Sequence, residues 1–324
     1  VIKGGWQLAG GHGAVDEKQA IRDMWAFVEA GITTFDCADI YKGVEELIGK
    51  FVKQCSLVQI HTKYVPDLDE LPRIKKAYTE KIIDRSLMRL GVERLDLVQF
   101  HWWDYSVPLY TETALHLHDL QKTGKIRHIG VTNFDGMHLK ELLDAGVPVV
   151  SNQVQYSVLD HRPEGDLQRL AQRYDFFILC YGTIAGGFLN ERYLGIDEFE
   201  DPLENRSLEK YRLIIEDFGG MRLFQSLLFV LKKIADEYDV GIAEVATQYI
   251  LQKSKVAGVI IGARNTKHLE KIKCLRNLTL DEKNIQEIRE VIEQSKGPSG
   301  PVYGLERDRG GRHSRIMKYN LNKQ

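Results

Sequence analysis

LVQIHTKY (57–64), LPRIKKAYTEKIIDRSLMRLG (71–91) and LDLVQFHW (95–102) follow one another with little between them. The first and third are short, and too apolar for a sheet with one face in water, so they read as buried parallel strands. The segment between them carries apolar residues at helical spacing and stops at Gly91, a residue suited to the turn that ends a helix. The same alternation runs outward in both directions. TTFDCA (33–38), IRHIGVTN (126–133), VVSNQVQYS (149–157), FFILCYG (176–182) and VAGVIIGA (256–263) are further strands, and IKGGWQL (2–8) is the first.

EKQAIRDMWAFVEAG (17–31) puts Ile21, Met24, Trp25 and Val28 on one helical face and ends at Gly31. DGMHLKELLDAG (135–146) opens on an Asp N-cap and ends at Gly146. GDLQRLAQRYD, AEVATQYILQK and NTKHLEKIKCL supply three more helices. Eight strands, each followed by a helix, predict an α/β fold, a (β/α)8 TIM barrel forming one domain over residues 1–324. The length does not require two domains, since α/β barrels commonly exceed about 250 residues as one unit.

Two segments exceed the minimal barrel. Residues 190–239 insert a loop (190–220) and one additional helix, at 221–238, between the seventh strand and its helix. TLDE (279–282) reads as a capping box opening a further helix to Gln294. The C-terminal tail, 297–324, sets Arg307, Arg309, Arg312, Arg315, Lys318 and Lys323 against Glu306 and Asp308. Such a run is usually solvated, yet this one is long enough to fold over a barrel mouth and shape a pocket.

Composition removes several classes of function. With 44 Lys+Arg against 46 Asp+Glu the net charge is −2, which argues against a nucleic-acid partner. An apolar fraction of 43% and a charged fraction of 28% rule out wholesale disorder. No uncharged apolar run approaches the roughly 18–20 residues of a membrane span, so a soluble protein with no membrane partner is expected, and cysteines that read as reduced thiols make it a cytoplasmic one. The first residue is Val1, which leaves room for a removed signal or tag. Cys37, Cys55, Cys180 and Cys274 are too sparse and irregular for a disulfide framework and are expected to be buried thiols. His116 and His118, two apart on a helix, do not share a face and make a poor metal pair. No H-E-x-x-H, P-loop, G-x-S-x-G or G-x-G-x-x-G sequence occurs, and no metal is expected.

In a barrel of this kind the active site lies at the C-terminal ends of the strands. There the second strand places Asp36, the loop after it Tyr41, the third strand Lys63 and the fourth His101. Singly, these are an N-cap, a half-buried aromatic, a rim charge and a core histidine. Together they are a chemical group. Lys63 among apolar neighbours needs a counter-ion, which Asp36 on the adjacent strand is placed to provide. An ammonium beside a phenol lowers its pKa from about 10 towards a useful acid. An imidazole beside both orients a carbonyl oxygen. The arrangement suits carbonyl reduction, with the hydride coming from elsewhere.

GITTFDCADIY (31–41), HTKY (61–64), LDLVQFHWWD (95–104), GKIRHIGVTNFD (124–135), SNQVQYS (151–157), YGTIAGGFL (181–189) and IIGARNTKHLEKI (260–272) resemble, in order and spacing, the aldo-keto reductase superfamily over nearly the whole chain. The resemblance implies reduction of small-molecule aldehydes or ketones with a nicotinamide cofactor. It assigns Tyr41 as general acid, Lys63 as its tuning ammonium, Asp36 as the anchor of Lys63 beside the cofactor, and His101 as the carbonyl-orienting group. It implies that Thr132, in place of the commoner Ser, holds the carboxamide together with Asn133 and Gln153. The nicotinamide ring then stacks on Tyr181, with Gly5 and Trp6 beside the ribose and substrate.

Two stretches depart from the family pattern. Tyr181-Gly182-Thr183-Ile184 stands where Y-S-P-L is common, so backbone donors near Gly182, Gly186 and Gly187 must replace the Ser hydroxyl at the pyrophosphate. His268 and Ile272 stand where the family's adenine-end segment carries Arg or Gln and then Asn. Gly262 and Ala263 replace a frequent Lys-Ser pair, and Arg264 follows at once; its guanidinium can pair with a ribose phosphate, with Lys267 and His268 adding charge on the next helix. NADPH is therefore the expected cofactor. Some members of the superfamily dock onto other proteins, so the alternative is a cofactor-binding regulatory or interaction subunit with little turnover. Trp6, Trp102 and Trp103 either wall an apolar pocket or pack under a loop. Nothing in the chain marks an oligomeric state.

Overall fold

Eight parallel strands pair in chain order, and the last returns to the first. In the computed structural model, which describes residues 1–10, 13 and 15–323, they are β1 (Ile2–Gly4), β2 (Thr34–Asp36), β3 (Gln59–Tyr64), β4 (Leu95–Phe100), β5 (Ile126–Thr132), β6 (Val149–Gln155), β7 (Phe177–Tyr181) and β8 (Val256–Gly262). Closure rests on the register Ile2–Ile260, Lys3–Ile261 and Gly4–Gly262. The barrel is the (β/α)8 architecture that the repeating pattern predicts.

Around it run α1 (Glu17–Glu29), α2 (Val44–Val52), α3 (Lys76–Leu90), α4 (Tyr110–Lys122), α5 (Gly136–Asp144) and α6 (Asp166–Tyr174). They are followed by α7 (Arg206–Phe218), α8 (Gly220–Tyr238), α9 (Ile242–Leu251), α10 (Leu269–Cys274), α11 (Glu282–Ile292) and the short α12 (Gly304–Arg307). Helices α1, α5, α7 and α11 start on Asp16, Asp135, Asn205 and Asp281, whose side chains accept the amide three residues on.

Strand alternation decides what the barrel interior contains. On β4 the odd positions Leu97 and Gln99, continued by His101, face inward, and Val98, Phe100 and then Trp102 pack outward against the helices. On β3 the same alternation turns Lys63 inward, and on β6 Gln153. Ile2, Leu97 and Leu179 form a small apolar plug lower in the barrel. Near the strand starts, away from these polar groups, a cavity of about 310 Å³ is lined by Gln59, His61, Asp96 and Arg127, among others.

The structure corrects several expectations. The first strand stops at Gly4, because the chain turns through a 3-10 segment at Trp6–Leu8, fixed by the Gly5 amide donating to the Asp36 carbonyl (2.7 Å). The 190–220 insertion holds a helix of its own, α7, built on buried Leu208, Tyr211, Ile214, Ile215 and Phe218. Asp281, not Thr279, caps α11, and α10 is only 6 residues long, with His268 at its N-cap rather than in its first turn. Cys37, Cys55 and Cys180 are buried thiols, but Cys274 is half-exposed. Trp102 is 0% exposed under a loop, its Nε1 donating to the carbonyls of Asp104 (2.9 Å) and Val107 (3.1 Å), and so walls no pocket.

The tail is tied down by part of its length, while Asp308, Arg309, Arg312, Arg315 and Lys318 stay exposed as expected of a charge run. Glu306 pairs with Arg162 (2.9 Å), the His313 imidazole with Asp217 (2.7 Å), and Asn322 donates to the Val65 carbonyl (2.7 Å). These contacts carry it across the C-terminal mouth of the barrel as a strap. Among the described residues, no helix is long and apolar enough to cross a membrane.

Candidate active site

Lys63 is the centre of the polar group at the mouth. Its ammonium sits 2.5 Å from an Asp36 oxygen and 2.9 Å from the Cys37 carbonyl, with Lys63 6% and Asp36 3% exposed. The second Asp36 oxygen accepts from Gln99 (2.9 Å) and Gln153 (2.7 Å), and Gln153 also donates to the Gln99 side-chain carbonyl (2.8 Å). Burial disfavours the Lys63 charge, but Asp36 and Tyr41 outweigh it and the pKa is raised.

Tyr41 lies in the turn that follows β2, held by its amide donating to the Ala38 carbonyl (3.0 Å). The Lys63 ammonium is 5.3 Å from its ring centroid, and Trp6 packs edge-on against the ring at 5.0 Å. No described residue hydrogen-bonds to the Tyr41 hydroxyl. Lys63 pulls its pKa down as expected, yet burial pushes harder and the net shift is upward.

His101 follows β4 and is buried. Its Nδ1 donates to the Thr132 carbonyl (3.2 Å), and its Nε2 is enclosed without a partner among the described residues. Burial, helped by the charge of Arg307, lowers the imidazole to about 3, so the ring is neutral near pH 7. Asp36, Tyr41, Lys63 and His101 thus meet at one mouth, from three adjacent strands.

The residues that the resemblance places around a nicotinamide are arranged as follows. Thr132 donates its hydroxyl to the Gln153 carbonyl (3.0 Å). Asn133, at φ 62°, accepts the Tyr181 hydroxyl on its Oδ1 (2.9 Å), leaving its Nδ2 without a protein partner among the described residues. A half-buried ring fixed in plane beside an amide with two unused N–H groups fits a ring that carries a carboxamide. Trp6 is 46% exposed and reaches Ser207 at the start of α7 (3.4 Å), and Gly5 lies against the Asp36 carbonyl.

The glycine-rich turn differs from the open cradle expected of it. Gly182 (φ 75°) and Gly186 (φ 66°) sit where a Cβ would run into the Tyr211 ring, so they admit α7 against the barrel. Thr183 is buried with its hydroxyl 3.4 Å from that of Thr247, and Ile184 is half-buried. Gly187 alone of the three has open space beside it. At the far rim, Gly262 faces the Gln7 side chain, and Arg264 is exposed with its guanidinium against Gly13; His268 is exposed nearby.

Three contributors were not apparent from the sequence. Gln99 was visible as the inward position two before His101, but a neutral amide carries no chemical signature. Tyr303, packed edge-on to His101 at 5.6 Å, and Arg307 come from the tail, where nothing in the local pattern indicates burial.

The chain is similar to several known proteins. Aldo-keto reductase YhdN of Bacillus subtilis (strain 168) is 28% identical over 312 residues, covering 93% of this chain and 92% of its own. Aldo-keto reductase yakc [NADP(+)] of Schizosaccharomyces pombe is 27% identical over 283 residues, covering 83% of this chain and 81% of its own. The structure of aldo-keto reductase AKR11C1 from Bacillus halodurans (holo form) matches with a TM-score of 0.71 at 27% identity, over 95% of each chain. Glycerol dehydrogenase AKR11B4 from Gluconobacter oxydans shares the fold, with a TM-score of 0.77 at 22% identity over 93% of each chain. The model of the Aldo/keto reductase family matches residues 1–293. With a closed eight-stranded barrel and these relatives, the chain belongs to the Aldo/keto reductase family, oxidoreductases that act on small carbonyl compounds with nicotinamide cofactors.

Proposed function

We propose that this chain reduces aldehydes or ketones with NADPH, using Tyr41 as the general acid. The observation that carries this reading is the Tyr41 hydroxyl, without a hydrogen-bond partner among the described residues, beside the buried Lys63–Asp36 pair. When bound, the cofactor supplies a hydride to the carbonyl carbon. Tyr41 gives its proton to the oxygen, and the Lys63 ammonium stabilises the phenolate left behind. Gln99 and Gln153 hydrogen-bond the second Asp36 oxygen and fix the carboxylate, which keeps the ammonium in place. His101, neutral with its proton on Nδ1, presents an Nε2 lone pair that accepts the O–H of the alcohol once Tyr41 has protonated it, so in this tautomer it holds the product rather than the carbonyl. Asn133 and Tyr181 would hold the nicotinamide end, and Thr132 and Gln153 shape the floor beneath it. The free thiols suit a reducing compartment, the cytoplasm.

Tyr41→Phe tests the assignment, because it removes one hydroxyl and little volume. Its kcat/KM for an aldehyde should fall by roughly a hundredfold or more, with NADPH affinity by fluorescence titration nearly unchanged. Retention of more than about a tenth of the wild-type rate would move the acid elsewhere. A wild-type chain that binds NADPH but turns over no aldehyde would instead favour a regulatory role.

The NADPH preference rests on Arg264, with Lys267 and His268 beside it, at the far rim; the Schizosaccharomyces pombe relative carries NADP(+) in its name. Arg264→Ala should weaken NADPH binding by about 2–3 kcal/mol, the loss of a charge-assisted pair, and leave NADH binding nearly unchanged. Equal losses for both cofactors would overturn it.

A further inference from the structure

The two residues that would hold the nicotinamide end each stand beside a cation brought in by the insertion or the tail. The Lys210 ammonium, from α7, lies 5.0 Å from the centroid of the Tyr181 ring, with the rings of Tyr211 and Tyr303 at 5.7 and 5.9 Å. Arg307 donates from Nη2 to the Asn133 carbonyl (2.9 Å). Neither charge is closely matched. Among the described residues Glu306 is the one carboxylate within ion-pair distance of either, and Arg162 takes it with two nitrogens, at 2.9 and 3.2 Å. That leaves Lys210 at a looser 3.7 Å from Glu306, and Arg307 with no carboxylate. The Lys210 side chain is only 15% exposed, so water and salt screen its charge little.

The nicotinamide is the part of the cofactor whose charge changes in the reaction. Its reduced ring is neutral, and giving a hydride to the carbonyl carbon leaves it with one positive charge. Tyr181 and Asn133 offer that charge no counter-ion, and Asp36 is already taken by Lys63 (2.5 Å). A cation beside Tyr181 therefore repels the oxidised ring and is indifferent to the reduced one. It also draws on the π electrons of Tyr181, which would otherwise attract a cationic ring. We propose that Lys210 sets a preference between the redox states of the cofactor, so that the site takes up NADPH and sheds NADP+. This rests on the carbonyl-reducing reading above, with Tyr181 beside the nicotinamide, and adds to it the residue that separates the two forms.

Equilibrium binding to the full chain tests it without turnover, by fluorescence titration for NADPH and calorimetry for NADP+. The wild type should bind NADPH tighter than NADP+ by roughly tenfold. Lys210→Met should lower that ratio by about threefold or more, chiefly by tightening NADP+, and Lys210→Arg should keep it. Lys210→Gln, which can still donate to Glu306 and so spare the strap, should lower the ratio as the Met variant does. A residue that only braced the strap would weaken both forms together, so an unchanged ratio in Lys210→Met and Lys210→Gln would overturn the proposal. Equal affinity for the two forms in the wild type would overturn it as well. A wild type that binds neither form overturns the reductase reading along with it, whereas tight binding of both with an unchanged ratio overturns this proposal alone.

Discussion

Asp36 keeps three hydrogen-bond donors on its carboxylate, and only one of them is charged. Lys63→Met removes that charge and leaves Gln99 and Gln153 in place. Breaking a buried pair costs about 3–5 kcal/mol, and the two remaining amides put this variant near the lower end. Urea unfolding should show a loss of about 3 kcal/mol, and aldehyde reduction should fall by roughly a hundredfold or more, since the phenolate loses its neighbouring cation. A stable, active Lys63→Met protein would contradict both expectations. At this scale the sequence was informative where a residue carries titratable chemistry on a strand of clear alternation, as with Asp36, Lys63 and His101. It was silent on Arg307, because an arginine in a charged, glycine-rich run is indistinguishable from a solvated one until the chain is folded.

Helix α12 is a single turn, and its hold on the barrel comes from the side chains of Glu306 and Arg307 rather than from its length. Burial alone would raise the Glu306 carboxyl, but Arg162 and Lys210 outweigh it and bring it down to about 2. A depressed carboxyl stabilises the docked strap above its unfolded pKa, about 4.5, and that contribution is lost as pH falls towards 2. Glu306→Gln should release the strap at neutral pH. Amide exchange over residues 302–308 should speed up by roughly a hundredfold, with the barrel strands unaffected. Unchanged exchange would show that the strap is held by its other contacts. The α7 helix shows why elements differ in legibility. Its apolar spacing is regular and Asn205 caps it, but the acidic, proline-containing stretch before it reads as the start of a long loop. Helix α11 was placed correctly and capped wrongly, since both Thr279 and Asp281 are suitable caps and only the fold selects the one that meets the Asn284 amide (2.8 Å).

For the molecule as a whole, the neutral His101 links stability to pH. The unfolded chain takes up that proton below about 6.5, and the folded protein resists until about 3. Stability therefore falls as pH drops through this interval, and His101 accounts for about 2–3 kcal/mol of the loss between pH 7 and pH 4.5. Urea unfolding at both pH values should show the wild-type difference shrinking by that amount in His101→Gln. An identical difference in the two proteins would mean that other groups carry it. The barrel topology was legible because eight strand-helix repeats state it eight times. The closed mouth was not, because it depends on contacts among residues near 160, 210 and 305 that no local pattern connects.

The order of synthesis gives the strap a further consequence. Every strand of the barrel is translated before residues 302–322, so the barrel can close on the ribosome while these residues are still in the exit tunnel. At that stage Arg162 and Lys210 have no Glu306 to meet, and His101 has neither Tyr303 nor Arg307 beside it. The nascent barrel is an open vessel whose polar floor is in place before its cover arrives. Maturation of the pocket thus follows closure of the barrel, and it waits until residues 302–322 have emerged.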